Sequence, residues 1–163
     1  MTRIMLIAVC VSLLLAANDA SARDTIHKLS IADFLANPEN TSRLEGVSFY
    51  FGNQPHPKVI EDLGESRTNK KTNAFNKSDE AACEWVMLSA MLSLHQHAQA
   101  IGANAVINIK SNYKNNVESS ETEYTCGAGA LMAGVALIGT FVTIGDGGDQ
   151  DLATPALEVS TED

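Results

Sequence analysis

Residues 78–110 constrain the fold more than any other stretch, because SDEAACEWVMLSAMLSLHQHAQAIGANAVINIK joins one long helix, a glycine stop and a strand. Ser78 suits the N-cap, its hydroxyl accepting from a first-turn amide, and Asp79 and Glu80 lie where the positive end of the helix dipole favours carboxylates. Neither glycine nor proline interrupts 81–101, and Gly102 can take the left-handed conformation that closes a helix. These limits predict a helix of about 23 residues, roughly 34 Å long.

At about 100° per residue, Cys83, Val86, Met87, Ala90, Leu94, Ala98 and Ile101 share one side, the stripe a helix buries on a sheet. Trp85, Leu88 and Leu92 share nearly the opposite side, where a monomeric domain normally shows charge. A second apolar stripe needs a second cover. Either another part of the chain supplies it, or the stripe is an interface with a second subunit or partner.

Around this stretch the chain alternates short apolar runs with turns. Ser30 can cap a helix over 31–35 that Pro38 would end. Val47 to Phe51 alternates, with Val47, Phe49 and Phe51 on one face, and the turn-rich Gly52 to Pro57 closes that strand. Lys58 to Lys77 is polar and short of large apolar residues, so it reads as a long exposed loop. Loops of that length often carry function, and His56 at its start is the candidate loop site, for a metal or a partner, against plain solvent exposure.

After Gly102, a strand with Ala105, Ile107 and Ile109 on one face leads to a turn at Lys114 to Val117, and residues 118–126 are expected to return antiparallel. Residues 124–145 carry no charge and contain five glycines between 127 and 145. They fit either two core strands or a glycine-rich membrane helix. The β-branched Thr140-Phe141-Val142-Thr143-Ile144 favours strands. The expected fold is α+β, one long helix packed across a small antiparallel sheet.

Residues 1–22 have a secretory signal pattern: Arg3, an apolar core to Ala17, and the small Ala20-Ser21-Ala22 cleavage site. A single domain over 23–145 and a disordered acidic tail over 146–163 follow from composition. The implied location is periplasmic or secreted. A net charge of −9 argues against nucleic acid, which needs a basic surface, and disfavours anionic membranes.

Chemical motifs are sparse. His95 and His97, two apart on a helix, project about 200° from each other and cannot share a metal. The glycines at 127, 129 and 134 lack the Lys-Ser or Lys-Thr of a phosphate loop, and Asp146, Asp149 and Asp151 lack calcium-loop spacing. No nucleophile has a base and an orienting acid in its sequence context. No catalytic, cofactor-binding or metal site is expected.

Cys83 and Cys126 remain after export, and an oxidising compartment favours their pairing. The predicted hairpin opposes this. It places Cys126 opposite Ala105, some 25 Å from Cys83 at helical rise, whereas a bridge needs Cα atoms within about 7 Å. The disulfide stays open at this point.

Gly102-Ala103-Asn104-Ala105-Val106, between a long helix and hairpin strands, resembles the small α+β domain of YbjQ-like and RcsF-like envelope proteins. Tyr124 to Leu131 resembles a cysteine-bearing strand of the RcsF-like group, and the similarity spans roughly residues 78–144. Ser111 stands where that group has a cysteine, so its disulfide pattern and signalling role do not carry over. Residues 49–57 with 69–80 are similar to exported bacterial proteins often labelled excinuclease subunits, but this chain has neither a nucleotide-binding loop nor zinc cysteines. The YbjQ-like resemblance implies oligomers.

The functional expectation is an exported, non-catalytic binding or assembly domain of the bacterial cell envelope. Its partner would be a second copy or an envelope protein, met through Trp85, Leu88 and Leu92. The alternatives are a metal- or stress-sensing envelope module and a membrane-associated glycine-zipper protein.

Overall fold

The computed structural model describes residues 24–145 of the 163-residue chain, so the expected signal peptide and acidic tail lie outside the described residues. Strand β1 (Asp24–Ser30) leads into two short helices, α1 (Ile31–Ala36) and α2 (Pro38–Thr41), and a 3-10 turn, Ser42–Leu44. Then come β2 (Ser48–Phe51), β3 (Val59–Asn73), the long helix α3 (Asp79–Ile101), β4 (Ala105–Tyr113), β5 (Asn116–Glu118), β6 (Glu123–Gly129) and β7 (Met132–Ile144).

The caps form as local chemistry dictates. Ser78 Oγ accepts from the Ala81 amide at 3.2 Å, and Gly102 closes α3 at φ 79°, its amide returning to the last carbonyls. Ser30 Oγ caps α1 by accepting from the Asp33 amide. Helix α1 stops at Ala36, ahead of Pro38 as expected. Asn37 caps a second helix in which Pro38 occupies the first turn, where a missing amide costs nothing.

Strand β7 is the hub of a seven-stranded sheet. Along one edge it pairs with β3 from Val59↔Ile144 to Asn73↔Met132. Its other edge is shared: β4 takes residues 137–142 and β6 takes 133–134. Both are antiparallel to β7, so β4 and β6 run in one direction, end to end. β1 flanks β6, β5 flanks β4, and β2 pairs with β4 in parallel. The fold is therefore α+β with one long helix, as expected, but the sheet is larger than expected and one of its pairings is parallel.

Helix α3 lies over β3, β7 and β6. Cys83, Val86, Met87, Ala90, Leu94 and Ala98 are all buried, while Ile101 at the C-terminal end is 37% exposed. The opposing layer is Val106, Ile109, Tyr124, Cys126, Ala128, Ala133, Val135, Leu137 and Phe141. β7 alternates, sending Ala133, Val135, Leu137 and Phe141 towards the helix and Gly134, Ala136 and Ile138 to the outer face.

Two expectations about elements need correction. Residues 58–77 are not an exposed loop, since 59–73 form the longest strand of the sheet. Its ladder to β7 is made by backbone, and an edge strand tolerates the charges that made the stretch read as loop. In β4, the simple alternation fails because a bulge between Ile107 and Lys110 puts Asn108 at φ 53°. The extra residue turns both Val106 and Ile109 into the core, and asparagine accepts that φ more readily than a branched residue would.

Candidate functional site

The outer face of the sheet, away from α3, holds an apolar cleft of about 530 Å³ at the β6–β7 hairpin. Its floor is backbone: Gly127, Gly129 and Gly134, with Gly127 paired to Gly134 across the two strands. Tyr113, at the end of β4, lays its ring on this glycine pair, because β4 and β6 meet end to end along β7 and the first residue past the core has bare backbone beside it. A Cβ on Gly127 would stand 1.9 Å from Tyr113 Oη and 2.1 Å from Cζ. This is an aromatic ring filling the place of missing side chains.

Replacing Gly127 with valine is therefore expected to expel the Tyr113 ring and to lower stability by about 2 kcal/mol, the usual scale for overpacking. Urea unfolding checks it, and the cost should fall by at least half in a Tyr113→Ala background, where the ring is already gone.

Lys71 on β3 forms the opposite side, its Cγ 3.6 Å from the place a Gly134 Cβ would occupy. Leu131 and Met132, 63% and 49% exposed, form the rim. At one end Asp24 receives a hydrogen bond from Lys114 and one from Tyr113 Oη at 3.4 Å. The Lys114 hydrogen bond holds the Asp24 carboxyl below its ordinary pKa, and Asp24 raises that of Lys114 in return. Burial, and then the Asp24 charge, push the Tyr113 hydroxyl up. The phenol thus stays protonated and the ionic end is internally balanced.

The other candidate residues fall elsewhere. Cys83 and Cys126 are bridged, Cα to Cα 5.9 Å, joining α3 to β6. The expected 25 Å separation is overturned because β6 does not fold back along β4. After the short β5 excursion it continues in the direction of β4, so Cys126 arrives beside the first turns of α3. His27, in register with Cys126, reaches Asp79 at 3.0 Å from Nε2, a second tie at that helix end.

Trp85, Leu88 and Leu92 do not form one open stripe. Leu88 is 6% exposed, in the same buried cluster as Ile31, Phe34 and Leu44, and Leu92 packs partly against it. The α1–α2 segment supplies that cover, pinned where Asn37 and Asn40 donate to Glu84. Trp85 alone stands out, 59% exposed. His56 is exposed in the turn before β3, donating from Nδ1 to the Pro57 carbonyl at 2.8 Å and edge-on to Tyr50. His95 is buried, donating to the Glu45 carbonyl at 2.9 Å, whereas His97 lies against Phe141.

Among the described residues, no group of three His, Cys, Asp or Glu side chains could hold a metal ion. No described helix is long and apolar enough to cross a membrane. The glycine-rich 124–145 segment forms β6 and β7 rather than a helix. The chain matches no family model, no curated protein and no solved structure.

The sequence did not reveal the cleft. Its glycines drew attention only as a failed phosphate loop, and Tyr113 carried no signal because its partner residues are 14 and 21 positions away. The one available hint was the concentration of glycine in a strand-like segment, which often marks close approach of another group.

Proposed function

We propose that the chain is an exported, non-catalytic binding module of the bacterial cell envelope, and that its ligand is an uncharged apolar molecule of about acyl-chain size held in the outer-face cleft. The carrying observation is the glycine floor roofed on one side by Tyr113, a trough with apolar walls and room for a drug-sized molecule. The rim supports the same ligand class: Leu131 and Met132 are adjacent, exposed and apolar, and methionine adapts to irregular partners. Asp24 and Lys114 are already closed on each other, and Lys71 meets the glycine floor through its aliphatic stem, so a neutral ligand needs no charged partner. The bridge between two fully buried cysteines supports export into an oxidising compartment, periplasmic or secreted.

Titration with N-phenyl-1-naphthylamine, a neutral apolar fluorophore, tests the cleft. The exported chain should bind it with enhanced emission, and Leu131→Glu should weaken that binding at least tenfold while leaving the circular dichroism spectrum unchanged. Emission no greater than in buffer, or equal binding by the variant, overturns the assignment.

A further inference from the structure

Strand β3 has a second edge. Among the described residues it pairs only with β7, which leaves the amides and carbonyls of its other side without a strand partner. Charges on such an edge ordinarily keep other strands away. Here they are segregated: Glu61, Asp62 and Glu65 precede Arg67, Lys70 and Lys71. A second copy approaching in parallel would put acid against acid and base against base. An antiparallel copy puts each acidic half against a basic half.

The register can be narrowed further. A two-fold axis through Glu65 or Arg67 would oppose two like charges at the centre. The ladder to β7 is regular from Glu65 to Asn73, after the irregularity that includes Gly64 at φ 97°. An axis through Thr68 uses only this regular part. It sets Glu65 opposite Lys71 of the second copy, Ser66 opposite Lys70, Arg67 opposite Asn69 and Thr68 opposite itself. Glu65 with Lys71 is thus the charge pair this register makes, and Glu61 and Asp62 lie beyond the regular stretch.

Thr68 itself adds no contact across the axis: it stands opposite Leu137 on the side that faces the helix, 7% exposed, and its Oγ1 is covered by this chain. The pairing rests on the open backbone edge and on the Glu65 and Lys71 charges, which share the outer face.

We infer that β3 is a self-pairing edge, and that the protein forms a two-fold symmetric dimer by continuing its sheet through antiparallel β3 strands centred on Thr68. The interface is isologous, as closed dimers require. It is distinct from the cleft proposal, since its readout is mass and not ligand. It is also distinct from an interface at Trp85, which lies on the helix.

Sedimentation equilibrium of the exported chain over 1–100 µM, roughly, tests it at low ionic strength, where exposed charge pairs are least screened. The wild type should sediment as a dimer. Glu65→Lys and Lys71→Glu should each weaken association at least tenfold with unchanged circular dichroism, and the combined charge swap should restore it to within about fourfold of wild type. Trp85→Ala should leave it unchanged. A monomeric wild type, single reversals without effect, a charge swap that fails to rescue in a folded protein, or dissociation by Trp85→Ala would each overturn the assignment.

Discussion

Replacing Cys83 and Cys126 together with alanine is expected to lower the unfolding free energy by about 4 kcal/mol, the loop-closure value for cysteines 43 residues apart. For a domain of this size that corresponds to a fall in midpoint temperature of roughly 15 °C. The mechanism acts mostly on the unfolded chain, which regains the freedom of a loop containing nearly all of α3, β4 and β5. Both side chains are fully buried, so two small cavities add to the loss. Urea unfolding followed by circular dichroism, with and without reductant, separates the contributions: reduced wild type should lose most of the stability that the double variant loses. Equal midpoints for oxidised and reduced protein would show that the bridge does not restrain the chain, and would remove the main support for export.

This bridge also shows where sequence reading stopped. Helix α3 was legible from Ser78 to Gly102, because a capped amphipathic helix is encoded by neighbours three and four residues apart. The strand character of β6 and β7 was legible from glycine and β-branched content. What could not be read was the order of strands. A turn at Lys114 and Asn115, both at positive φ, does reverse the chain as expected, but only Asn116 to Glu118 pair back with β4. At Ser120 the chain turns again, its hydroxyl accepting from the Thr122 and Glu123 amides, and β6 sets off in the original direction. That second turn decides whether Cys126 lies near Ala105 or near Cys83. It depends on β7, which has not yet appeared in the chain at that point and which holds β4 and β6 in line.

The same long-range dependence concealed β3 and the cleft. A polar stretch such as residues 65–73 becomes a strand only when an apolar partner like 132–140 supplies a ladder, and no local pattern announces that partner. The second stripe on α3 was half resolved in advance: the sequence showed that Leu88 and Leu92 needed cover, and the structure finds it in the α1–α2 segment.

Phe141→Ala is expected to lower stability by about 4 kcal/mol, through a defect at the other end of the same helix. Phe141 is 1% exposed, among the largest fully buried side chains, and meets His97 edge to face with ring centroids 4.8 Å apart. Truncation removes a full aromatic side chain from between α3 and β7, and the rigid ladder of β7 to β3 and β4 prevents the sheet from collapsing into the space. Phe75→Ala is the control, since that ring is 58% exposed and should change stability by less than about 0.5 kcal/mol. Cys83 and His97 are 14 residues apart, about 21 Å along the helix, so the cysteine and phenylalanine defects should add to within about 0.5 kcal/mol. Hydrogen exchange locates them: the cysteine variant should lose protection first in residues 79–86, the phenylalanine variant in residues 94–101. Loss of protection over the same residues in both variants would mean that α3 detaches as one rigid unit, and the two-point attachment of the helix would have to be abandoned.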